Sequence, residues 1–147
     1  MKTTLEPNTA CIDTCNSLLR GELAAVETYV QAITKFEKDS DVSELRRILV
    51  EHTDTDTELH ENVISMGGTP STSSGVWGGF ANAVQATASL FGEGSAIASL
   101  IQGEKHGQRE YEAALSADTT MPECRPLIAT KWLPRVCSHI DTLEKLG

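Results

Sequence analysis

Long apolar runs, aromatic side chains and basic charge are all scarce in this chain of 147 residues. Nowhere does it approach the roughly 18 consecutive apolar residues that a membrane-spanning helix needs. Aromatics make up 5% of the chain, so its core must be mainly aliphatic. Lys and Arg number 12 against 21 Asp and Glu, giving a net charge of −9. That balance argues against nucleic acid or an anionic membrane as partner and suits a cation. The segment Met1 to Ala10 has one Lys and no apolar centre, so it does not read as a secretory leader, and the cytoplasm is the expected compartment. Cys11, Cys15, Cys124 and Cys137 are too few for a disulfide scaffold and lack the CxxC spacing of zinc ribbons and thioredoxin-like motifs. They read as buried or idle reduced thiols. Strand-like alternation, a hydrolase triad and a nucleotide fingerprint are also missing. Gly21-Glu22 and Gly103-Glu104 follow no strand and are not phosphate loops.

What is present is a repeat. Leu18-Leu19-Arg20-Gly21-Glu22, Tyr29 and Ala32-Ile33 recur as Leu100-Ile101-Gln102-Gly103-Glu104, Tyr111 and Ala114-Leu115. Helical periodicity runs from Thr9 to about residue 37 through Ile12, Leu19, Leu23, Val26, Val30 and Ile33, after a start suggested by Pro7-Asn8. Glu22 lies on that stripe, where an acid is costly without a partner. Glu27 points away from it. A second helix is expected over 41–66, opened by a capping box Asp41-x-x-Glu44 and closed by Gly67-Gly68 and Pro70. Its inner face carries Leu45, Ile48, Leu49, His52, Asp56, Leu59 and Val63. A short helix over 76–91, with Trp77, Phe80, Val84 and Leu90, interrupts a long connection. A long helix comes next, over 95–116.

The last helix, over 121–146, is announced by Thr120-x-x-Glu123 with Pro122, and Pro134 should kink or split it. It too carries a repeat: Leu49-Val50-Glu51-His52-Thr53-Asp54-Thr55 matches Val136-Cys137-Ser138-His139-Ile140-Asp141-Thr142 in apolar, His, Asp and Thr positions. Each half therefore pairs a helix bearing an inward Glu with a helix bearing an inward His. Glu22, His52, Glu104 and His139 form a chemically sensible ligand set for iron, manganese or zinc. Tyr29 and Tyr111 would bond the carboxylates or line the pocket, and Asp56 is a candidate fifth ligand. Glu51 and Ser138 point off the stripe, and His60 and His106 toward solvent. Along the helices Cys11 falls about 16 Å and Cys124 about 22 Å from the Glu/His level, which disfavours a bridge between them.

These residues resemble the ferritin-like superfamily, which includes ferritins, bacterioferritins and rubrerythrins. The Met66-Gly67-Gly68-Thr69-Pro70 exit and the crossover helix are similar to a bacterial ferritin-like group named only as a domain of unknown function. The resemblance implies a single all-α domain, a four-helix bundle of up-down-down-up topology. It also implies a carboxylate-bridged pair of iron or manganese ions that handle iron, oxygen or peroxide. Glu22, Glu104, His52 and His139 match the superfamily's ligand positions. The sequence departs at Leu49 and Val136, where the superfamily carries Glu three residues before each His. Two readings stay open: a metal-binding bundle with reduced or lost oxidoreductase activity, and a non-catalytic binding or oligomerisation module whose Glu/His set is a metal-free polar network. A homodimer is compatible with either.

Overall fold

The computed structural model describes residues 2–74, 92–117 and 124–146, with side chains from Thr9 onward. All secondary structure among these residues is helical. The elements are α1 (Lys2–Ile33), α2 (Asp39–Ser65), α3 (Glu93–Ser116), α4 (Cys124–Leu127), a π-helical turn (Ile128–Trp132) and α5 (Leu133–Leu146). Leu127 and Leu133 keep right-handed helical dihedrals, so the last three run on as one fourth helix. The proposed helix over 76–91, with Trp77, Phe80, Val84 and Leu90, lies outside the described residues, as does the capping box Thr120-x-x-Glu123 with Pro122.

Two helix starts differ from expectation. The first helix begins at Lys2 and passes through Pro7 rather than starting there. The second helix starts at Asp39, capped by Lys38 without a side-chain bond, so Asp41 is not a cap. Asp39 and Asp41 instead lie in the first turn, where acids complement the helix dipole. The exit of α2 matches the sequence closely. Gly67 has φ +85°, its N–H bonds the Ile64 carbonyl at 2.9 Å, and the Gly68 N–H reaches back to Val63 at 3.0 Å. That bond pair is a Schellman motif.

Pro134 neither ends nor splits the fourth helix. A proline ring collides with the carbonyl four residues back, here that of Thr130. The π turn directly before it removes the conflict: Leu133 bonds the Ile128 carbonyl, five residues back, and the wider winding makes room. The π turn also rises less per residue than an α-helix, which alters the level of Cys124. The calculated offset between Cys11 and Cys124 is overturned: their sulfurs lie 3.6 Å apart, with no disulfide between them.

Packing runs mainly along α1 with α2 and α3 with α5. Buried side chains form two apolar clusters. One surrounds Leu19, Leu59, Val63, Tyr111, Ile128 and Trp132; the other surrounds Tyr29, Phe36, Leu45, Ile48, Ile97 and Leu100. A buried polar layer joins them through the two tyrosines, Tyr111 from the first and Tyr29 from the second. Val30, expected on the inner stripe, is instead exposed, whereas Thr28 is buried with its hydroxyl donated to the Ala24 carbonyl.

Two glycines separate packing from backbone freedom. A Cβ built on Gly68 falls 2.7 Å from the Ile12 Cγ2 methyl and 3.1 Å from Val63 Cγ1, both on stiff β-branched side chains. Gly107, inside α3, has open space around the same position. Gly68→Ala should therefore lose about 1–3 kcal/mol by overpacking. Gly107→Ala should gain roughly 0.5–1 kcal/mol through helix propensity. Urea unfolding midpoints of the two variants should move in opposite directions.

Candidate functional site

Four helices each send one group into the polar layer. Glu22 comes from α1, His52 from α2, Glu104 from α3 and His139 from α5, and all four are at most 5% exposed. The helical stripes explain this arrangement. Each group occupies a core position of its helix, where an apolar residue would otherwise sit, and a buried acid or imidazole there must find partners.

The partners are one another. His52 Nδ1 lies 2.6 Å from Glu22 Oε1 and His52 Nε2 lies 2.7 Å from Glu104 Oε2. The Tyr29 hydroxyl donates to Glu104 Oε2 at 2.6 Å, and the Tyr111 hydroxyl to Glu22 Oε2 at 2.7 Å. The repeat thus works crosswise, since each tyrosine bonds the Glu of the other half. Tyr29 also stacks on His52, with centroids 5.4 Å apart. His139 approaches Glu104 Oε1 through Nδ1 at 3.3 Å, and its ring centroid lies 4.6 Å from that of His52.

Glu51 lies off the inner stripe, as expected, yet its side chain reaches the layer. Its Oε1 lies 2.8 Å from His139 Nε2, while its other oxygen faces Arg47 at 3.5 Å. It sits at the edge of the core rather than on its inner stripe, which is why a stripe rule misses it. Its position beside His52, one turn after Arg47, was the available signal. Asp56 is half-buried, and burial with the nearby Glu22 charge raises its carboxyl pKa. It is not among the groups whose ligand atoms converge. Among the described residues of this layer, those are His52, Glu104 and His139, which offer atoms all within 4.8 Å of one another. Of the remaining histidines, His60 is exposed, and the partly exposed His106 faces Glu110 at 3.8 Å.

Electrostatics in this layer are set by the two carboxylates. Burial alone would pull the His52 pKa down, but the charges of Glu104 and Glu22 outweigh it and raise it well above 6.5. Burial would likewise raise Glu104, yet His52 and His139 hold it well below the ordinary carboxylate range. Burial first, and then their carboxylate partners, push Tyr29 and Tyr111 up, keeping both as hydroxyl donors. A cavity of about 70 Å³ abuts the layer, lined by Glu22, His52, Glu104 and the small residues Gly21, Gly103 and Gly107.

Taken as ligands, the residues present suit a cation. His52 Nε2 and His139 Nδ1 face one carboxylate, and each ring's other nitrogen is backed by a further carboxylate, Glu22 or Glu51. Carboxylate backing of this kind orients metal-binding imidazoles.

Comparison with known proteins adds one finding. A sequence profile of the family described as Domain of unknown function (DUF2383) matches residues 10–117. No curated protein and no solved structure matches the chain.

Two outcomes are expected for the metal-free protein, measured in chelator. Removing the imidazole by His52→Ala leaves Glu22 and Glu104 buried without their shared partner and should cost about 3–5 kcal/mol. The second concerns pH. His52 has a raised folded pKa, so its contribution is complete below its ordinary 6.5 and declines as pH rises through the folded value. Glu104 has a depressed folded pKa, so its contribution is complete above its ordinary 4.5 and declines as pH falls through the folded value. The layer therefore stabilises most between about pH 4.5 and 6.5. Thermal midpoints should peak there, and Glu104→Gln should flatten the peak.

Proposed function

The chain belongs to the family described as Domain of unknown function (DUF2383), and we propose that this member is a ferritin-like bundle that binds a divalent first-row cation at His52, Glu104 and His139. The observation that carries the reading is the convergence of those three buried groups, with ligand atoms within 4.8 Å of one another. Two imidazoles and one carboxylate suit Fe(II), Mn(II) or Zn(II). Glu22 and Glu51 then act by orienting the two rings, Tyr29 by fixing Glu104, and Tyr111 by fixing Glu22.

When bound, such an ion supplies Lewis acidity and, if it is iron or manganese, one-electron chemistry. The chain's own contribution is a dry, prearranged donor set beside a cavity of about 70 Å³, room for a small reactant. His52 would lose its Nε2 proton on loading, so affinity falls as the medium becomes more acidic. The proposal takes the ferritin-like up-down-down-up topology with it. It also carries the homodimer and the cytoplasmic setting expected from the sequence; sedimentation of the purified chain reads the first.

A second reading has its own support. The two short bonds of His52, at 2.6 and 2.7 Å, satisfy both of its nitrogens with carboxylates and no ion. The layer would then be a structural polar network that holds helix register.

Elemental analysis in a Cys11→Ser background, which removes any sulfur-bound metal, separates the two. After expression in metal-supplemented medium, the metal reading expects near-stoichiometric iron, manganese or zinc. Glu104→Gln and His139→Ala should remove it, Cys11→Ser should retain it, and Glu22→Gln should weaken binding about 10–100-fold. Metal retained by both Glu104→Gln and His139→Ala in that background, or absent from Cys11→Ser alone, sinks the metal reading in favour of the structural network.

A further inference from the structure

A second cluster of ligand-type side chains lies away from the Glu/His layer. Cys11 and Cys15 occupy successive turns of α1, and Cys124 opens α4. All three are at most 1% exposed. The Cys124 sulfur lies 3.6 Å from that of Cys11 and 4.0 Å from that of Cys15, and the three fall within 4.8 Å of one another. The Asn62 amide of α2 donates toward the same group, with Nδ2 at 3.2 Å from the Cys124 sulfur and 3.5 Å from the Cys15 sulfur. Leu59, Val63 and Ile128 belong to the surrounding apolar cluster. Cys15 precedes Glu22 by two helical turns, about 10 Å along the axis, so the two groups of residues are separate.

The spacing is informative. A disulfide requires sulfurs about 2.05 Å apart, so none of these pairs is bonded. A zinc ion bound about 2.3 Å from each sulfur separates the sulfurs by about 3.8 Å in a tetrahedral set and about 4.0 Å in a trigonal one. The distances of 3.6 and 4.0 Å from Cys124 fall close to those values. Plain packing of two thiols gives similar contacts. What packing does not call for is a third sulfur in the same space together with a carboxamide directed at two of them. An apolar core position is served as well by Ala or Val. An N–H donor aimed at sulfur does what an outer partner of a metal thiolate does.

We propose that Cys11, Cys15 and Cys124 form a binding site for a thiophilic divalent cation, Zn(II), with the Asn62 amide supporting the sulfurs. On loading, three S–H bonds break, three Zn–S bonds form and three protons leave to solvent; no electron is transferred. The tie links α1 to the start of the fourth helix and is independent of the Glu/His reading, which uses no sulfur.

Cd(II), a spectroscopically visible substitute for Zn(II), tests this on the full-length reduced protein. Titration should produce a thiolate-to-metal charge-transfer band in the ultraviolet that saturates at one ion per chain and is bleached by excess Zn(II). Cys11→Ser and Cys124→Ser should each abolish the band, while Cys137→Ser, at a half-buried site bonded by Gln108, should keep it. Should the serine variants fail to fold by circular dichroism, X-ray absorption of the zinc-loaded wild type decides. A sulfur shell at about 2.3 Å, whether or not nitrogen and oxygen accompany it, upholds the site, and a shell of nitrogen and oxygen alone overturns it. Absence of the band from the folded wild type, or its loss in Cys137→Ser, overturns it as well.

Discussion

One imidazole between two carboxylates governs this molecule. His52 bonds Glu22 on one side and Glu104 on the other, so a residue of α2 ties α1 to α3. Burying each ion costs several kcal/mol, and the attraction repays that only with good geometry and satisfied remaining atoms. Both conditions are met here. Tyr111 covers the second oxygen of Glu22, and Tyr29 adds to the oxygen of Glu104 that faces His52. The outer oxygen of Glu104 passes the network on to His139, which ends on Glu51 and Arg47 near the surface. Desolvation opposes the charges of His52 and Glu104, and mutual proximity overcomes it at both.

Leu and Val stand three residues before His52 and His139, at positions 49 and 136. Leu49 packs against the apolar cluster around Ile48, and Val136 is buried. Neither contributes an oxygen. The carboxylate that Glu51 brings enters from the rim instead and reaches the far nitrogen of His139. Both imidazoles therefore meet at Glu104.

Much of this could be read in the sequence, and the reasons differ by feature. The repeat of Glu and Tyr in two halves located the buried carboxylates, because a charge at a core position of a long amphipathic helix is costly unless a partner waits there. The Gly67-Gly68 exit was legible because a left-handed residue after a helix calls for glycine. Glu51 escaped because periodicity ranks residues by angle on their own helix, while a long side chain at an edge reaches over to a neighbouring one. The sulfur cluster escaped for another reason. Counting 1.5 Å per residue assumes unbroken α-helices, and the one residue absorbed at Ile128–Trp132 removes only about 1.5 Å of the counted offset.

That turn has a wider consequence. A π turn is a one-residue insertion absorbed within a helix, and it rotates the residues before it by roughly 100° relative to those after it. Cys124 stands on one side of that reset, His139 and Leu143 on the other, yet all three are buried. The thiol end and the imidazole end of the fourth helix are thus two separately phased surfaces on one rod. Sequence drift that deleted a residue there would leave either end intact in composition while turning one of them out of the bundle.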